Sequence, residues 1–68
     1  MNEKILYNKI RATEVEIRSI LSKVDLDAKS IEALELREKS YWFFWSESNF
    51  KRALKEAIGI KQFLISKR

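Results

Sequence analysis

The sequence predicts an all-α protein built as a small three-helix bundle. Its 68 residues include no proline and one glycine, so the punctuation that β-hairpins need is nearly absent, while Leu, Lys, Glu and Ala favour helix. Apolar residues recur three and four apart over long segments. Two short segments, 25–27 and 46–49, carry the Asp, Ser and Asn that cap helices, and they divide the chain into three stretches of similar length.

The first helix is expected over about residues 2–24. Leu6, Ile10, Thr13, Ile17, Ile20 and Val24 alternate four and three apart, with Tyr7 and Leu21 widening the stripe, which makes a seam for a neighbouring helix at a shallow crossing angle. Leu6, Ile10, Ile17, Ile20 and Leu21 are its predicted core residues. Asn2 is placed to cap the start.

Asp27 is the predicted N-cap of the second helix, over about 28–45, with Leu26 and Ile31 in staple positions. Asp25 and Asp27 are too few oxygen ligands for a hard cation, and capping accounts for Asp27. No metal or cofactor is expected.

The second helix ends in Tyr41-Trp42-Phe43-Phe44-Trp45, five of the eight aromatic residues in succession. At about 100° per residue, five consecutive side chains reach every side of a helix, so one neighbour cannot bury them all. Ile31, Leu34, Tyr41, Trp42 and Trp45 share one sector, and Leu36 and Phe43 lie roughly opposite. Two arrangements satisfy this pattern. In one, the helix is central and is covered on both sides by its own chain. In the other, a face carrying Phe43 and Phe44 contacts another protein, since aromatic residues dominate interface hot spots.

Residues 46–49 (Ser46-Glu47-Ser48-Asn49) decide the architecture. Ser46, Ser48 and Asn49 all suit an N-cap, which favours a third helix over about 49–66. Against a break stand a Glu47 to Lys51 pair and the recurrence of Leu36, Phe43, Phe50, Ala57 and Leu64 every seven residues. A continuous second helix would give the alternative fold, a hairpin with one long arm completed by oligomerisation. The break is preferred because it yields three helices of comparable length. In the third helix Phe50, Ala53, Leu54, Ala57, Ile58, Ile60, Leu64 and Ile65 form a broad stripe, Phe63 falls on the polar side, and Gly59 weakens the interior.

One domain spanning 1–68 is the expected organisation, small enough that a single core gives little margin. The chain has no Cys and no His, so disulfide and zinc staples are excluded and association with another chain is the remaining common device. The absence of His and Cys, together with the lack of a phosphate-binding glycine loop, also removes the usual catalytic constellations, and no enzymatic activity is expected. There is no apolar run of membrane-spanning length and no visible secretory signal, so the expected location is cytoplasmic.

Residues 1–45 carry eight basic and eight acidic side chains, whereas 46–68 carry six basic and two acidic ones and supply the net charge of +4. Lys51, Arg52, Lys55 and Lys61 could therefore contact phosphates, which makes nucleic acid the alternative partner. A helix-turn-helix is rejected because the would-be recognition helix carries Glu32, Glu35 and Glu38. A membrane surface is disfavoured because the first helix needs a partner helix for its stripe. The function expected from the sequence is a non-enzymatic protein-interaction module, a small adaptor, inhibitor or assembly factor. It would act through Tyr41, Trp42, Phe43, Phe44, Trp45 and Phe63, on an unknown protein or on its own copies.

Overall fold

The computed structural model describes residues 3–68 and shows an all-α bundle of three helices, α1 (Glu3–Leu21), α2 (Ala28–Ser46) and α3 (Phe50–Ile65). The capping role assigned to Asn2 lies outside the described residues.

Helix α1 ends three residues earlier than its apolar stripe suggests. Ser22 and Lys23 close a turn by donating to Arg18 O (3.2 Å) and Ile20 O (2.9 Å), so Val24 belongs to the connection, from which Leu26 reaches the core. Asp27 caps α2 as expected, accepting from the Ser30 amide at 2.8 Å. Hydrogen bonding from the Ser30 side chain and backbone holds the Asp27 carboxyl below its ordinary range.

The break at 46–49 is real, and backbone geometry makes it. Ser48 N donates to Trp45 O (3.0 Å) and Asn49 N to Phe44 O (2.9 Å), the paired bonds of a Schellman ending, with Ser48 in the left-handed conformation at φ 57°. Ser46 is the last residue of α2 and bonds back to Phe43 O at 2.8 Å. Asn49, not Ser46, caps α3 by accepting from the Arg52 amide at 3.3 Å. Glu47 lies outside both helices, so its expected pairing along a helix with Lys51 loses its basis. The long-armed hairpin is thereby excluded.

The central helix is α3, whereas the aromatic pattern had pointed to α2. Ala53, Ala57, Ile60 and Leu64 are buried along one α3 face, and the two alanines let its backbone approach both neighbours. By contrast, no Cα of α1 lies within 8 Å of a Cα of α2 among the described residues. Those two helices meet through long side chains. The core joins Ile10, Leu34, Tyr41, Ala53, Ala57, Ile60 and Leu64, and Leu6 is buried beside it. Of the expected α1 core, Ile17 and Ile20 are only half-buried and Leu21 is exposed. Buried Thr13 satisfies its hydroxyl on Lys9 O at 2.8 Å. An ion pair from Lys61 to Glu16 ties α3 to α1.

Two sets of substitutions test this packing by chemical denaturation. Ile10 is fully buried, and Ile10→Ala should cost about 2–5 kcal/mol, enough to unfold a domain of this size. Ser48→Gly relieves a left-handed conformation that costs a side-chain-bearing residue about 1–2 kcal/mol and should stabilise by a net ~0.5–1 kcal/mol. Gly59 has ordinary helical backbone, and an added Cβ would meet only the end of the Arg37 side chain at 4.0 Å. Gly59→Ala should therefore stabilise α3 by ~1 kcal/mol. Loss of stability in either variant would contradict the geometry at that site.

Candidate interaction surface

Helix α2 presents its aromatic run to three different environments. Tyr41 is buried, with 5% of its surface exposed, and belongs to the core; it is not surface available to a partner. Trp45 is half-buried and bridges the helices. Its ring centroid lies 5.7 Å from Tyr7 of α1, 6.4 Å from Tyr41 and 5.2 Å from Phe50 of α3, separations typical of favourable aromatic pairs. Trp42 packs edge-on to Tyr41 at 4.9 Å yet remains 51% exposed.

Phe43 and Phe44 point elsewhere. Phe44 is half-buried against the core, with the Arg52 guanidinium 5.2 Å above its ring. Phe43 meets Phe44 edge-to-face at 5.2 Å and is 57% exposed on the outer side of α2, one heptad from the equally outward Leu36. Phe63 stands apart from the run. It lies near the far end of α3, half-buried, with Arg37 at 5.0 Å and Lys67 at 5.5 Å from its ring centroid. The expected partner residues are thus dispersed, with Tyr41 in the core, Phe44 and Phe63 under cations, and Trp42 and Phe43 open on two sides of α2.

The sector that Trp42 shares with Ile31 and Trp45 is joined in the structure by residues of α1 that the sequence does not assign to it. Tyr7, Glu14 and Leu21 follow one line along α1, and Ile31, Glu38 and Trp45 follow one line along α2, each repeating every seven residues. The Tyr7 to Trp45 contact sets the two lines side by side. Because the α1 and α2 backbones stay apart, a groove runs between them on the side away from α3. Tyr7, Leu21, Ile31 and Trp42 are exposed along it, while Glu14 and Glu38 are only partly exposed at its middle. The available signal is the seven-residue repeat on both helices, of which the pattern reading takes Tyr7 and Leu21 only as a widening of the α1 stripe.

At the groove floor the Tyr41 hydroxyl is buried without a hydrogen-bond partner of good geometry. Burial, followed by the negative charge of nearby Glu14, pushes its pKa up to about 12. Glu14 itself pairs with Arg11 at 3.6 Å.

The basic residues do not form one continuous stripe. Arg52 pairs with Glu56 at 3.4 Å as well as covering Phe44, and Lys61 is held by Glu16 on the α1 side. Lys51 and Lys55 remain beside Asn49 and Arg52 around a shallow depression. A deeper groove of about 460 Å³ opens between the start of α1 and the start of α3, with Leu6, Phe50 and Leu54 beneath Glu3, Lys9 and Lys51. Among the described residues no helix is long and apolar enough to cross a membrane.

The orphaned hydroxyl makes Tyr41→Phe informative. Near neutral pH the variant should match the parent or exceed it by up to about 1 kcal/mol, because an unsatisfied buried donor is removed. The folded parent holds the phenol proton above the ordinary value of 10.0, so unfolding releases a proton in alkali and parent stability falls as pH rises from about 10 to about 12. The gap in favour of Tyr41→Phe should widen over that interval in urea titrations. A constant gap would mean that Tyr41 ionises equally in both states.

No family model, curated protein or solved structure matches this chain.

Proposed function

We propose that this protein is a non-catalytic protein-interaction module, a small adaptor, inhibitor or assembly factor whose contact surface is centred on the aromatic end of α2. The observation that carries the proposal is the exposure of Trp42 and Phe43 in a chain this small. Each lies next to a buried or half-buried ring and is held by edge-on contact, so its apolar surface is presented rigidly. A rigid, exposed aromatic loses little conformational entropy on binding, which is why tryptophan is enriched among hot spots. Solvating these rings singly is tolerable, but each has further exposed apolar side chains on its own side of α2, Leu36 with Phe43 and Ile31 and Tyr7 with Trp42, and apolar patches of that kind favour association.

Nucleic acid fits less well. A phosphate-binding surface needs several uncommitted cations on one face, and Arg52 and Lys61 are both engaged within the bundle, on different flanks of α3. Catalysis has no constellation to support it, since the buried Tyr41 phenol, with Glu14 nearby, is held protonated.

Photo-crosslinking in the native cell tests this reading. With Trp42 or Phe43 replaced by benzoylphenylalanine, irradiation should give a discrete protease-sensitive, nuclease-resistant adduct, and replacement of Lys55 on α3 should not. Absence of any adduct at both aromatic positions would refute an interaction surface there. Nuclease-sensitive adducts at Lys55 would instead establish the nucleic-acid alternative.

A further inference from the structure

The α1/α2 groove has two unlike rims. Beside the Tyr7, Glu14 and Leu21 line, the α1 rim carries Arg11 and Arg18; beside the Ile31, Glu38 and Trp45 line, the α2 rim carries Glu35 and Trp42. One rim is basic and the other acidic and aromatic. The excess positive charge of the chain resides in residues 46–68, which supply α3 on the opposite side, so the groove face is close to neutral.

We infer that this face is completed by a second copy of the chain, related by a two-fold axis lying along the groove, so that α1 of each copy seats on α2 of the other. The inference rests on the interaction-module reading and names its partner. An axis along the groove exchanges left and right without reversing direction, and each basic rim then meets an acidic one. An axis across the groove would set α1 upon α1, with Arg11 and Arg18 facing their own copies, and like charges at close range disfavour it.

The registers agree. Tyr7 is level with Trp45, so Glu14 and Glu38, each seven residues on toward the same end of the antiparallel pair, are level with one another. From that level Arg18 is about 6 Å along and Glu35 about 4.5 Å along in the same direction, at 1.5 Å per residue. In the opposite direction Arg11 lies at about 4.5 Å and Trp42 at about 6 Å. Seating α1 on the second copy's α2 therefore brings Arg18 to Glu35 and Arg11 to the exposed face of Trp42 within about 1.5 Å of register, and it sets Glu14 level with the second copy's Glu38, two carboxylates flanked on either side by Arg11, which pairs with Glu14, and Arg18. Because a two-fold interface is isologous, each contact is made twice.

Surface area points the same way. The chain exposes 5068 Å², against about 4,500 Å² expected for a compact monomer of this mass. Its radius of gyration of 12.1 Å likewise exceeds the roughly 11 Å expected for its length. The excess of about 570 Å² is smaller than the ~800 Å² per partner that a standard interface buries, but it marks a chain with more surface than a compact monomer needs.

Charge exchange between copies is the test. Wild type should run in gel filtration with light scattering at twice 8.1 kDa at micromolar concentration. Arg18→Glu and Glu35→Arg, each at an exposed position, should each keep the helical circular dichroism and weaken self-association tenfold or more. An equimolar mixture of the two variants should regain the dimer, because both inter-copy contacts become attractive again, and the double variant should regain it alone. A wild-type mass of 8.1 kDa up to millimolar concentration overturns the inference. So does a dimer that survives both single reversals, or one that mixing fails to restore. If wild type is monomeric while Trp42 still crosslinks a foreign protein in the cell, the second-copy inference fails and the interaction module stands. If neither occurs, both fail.

Discussion

Everything in this bundle depends on how closely α3 can approach its neighbours. Ala53 and Ala57 are fully buried where other helices would place larger side chains, and they let one helix serve as the common interior of the other two. The three helices do not pack equally well on one another. Spending the small residues on α3 fixes two good interfaces and leaves the third, between α1 and α2, to be spanned by rings. The groove follows from that asymmetry.

The aromatic residues are then sorted by what reaches them. Trp45 is caught between α1 and α3 by Tyr7 and Phe50. Phe44 and Phe63 have no helix above them, and Arg52, Arg37 and Lys67 lie over their faces instead, exchanging bulk solvent for a cation and its methylene stem. Part of the basic character of the chain is thus a cover for aromatic surface, which competes with a role in phosphate binding. Trp42 and Phe43 remain the most exposed rings of the run.

The helix count, the Asp27 cap and the division near residue 48 were legible because each is a local matter of periodicity or capping chemistry. Fine choices within them were not. Ser48 takes the left-handed position usually given to glycine, and composition alone does not reveal that a serine will bear that cost. The seven-residue ladder of Leu36, Phe43, Phe50, Ala57 and Leu64 resembled one continuous stripe, yet the turn at Ser48 rotates its halves apart, so Leu36 and Phe43 face out while Ala57 and Leu64 face in. Which helix is central was illegible for another reason. Periodicity reports which face is apolar, but proximity is set by side-chain size across the contact, and the large rings of α2 hold α1 away where the alanines of α3 admit it.

The two open patches on α2 are also physically unlike. Leu36 and Phe43 lie one heptad apart on the outer side of α2, where Phe43 is backed by Phe44 and faces no other helix of the described residues. Trp42 and Ile31 instead share a face with Tyr7 and Leu21 of the neighbouring helix. A helix seated on that face would touch both α1 and α2 and exclude water from its middle, where Glu14, Glu38 and the buried Tyr41 hydroxyl lie. Excluding water there raises the cost of any unpaired charge. Arg11 already pairs with Glu14, so the carboxylate that an occupant must meet is Glu38. The α1 rim of this chain carries arginines one turn to either side of Glu14, and in a pair of copies Arg11 and Arg18 have to serve the central carboxylates of both. The same polar middle that makes the groove a poor core makes it selective.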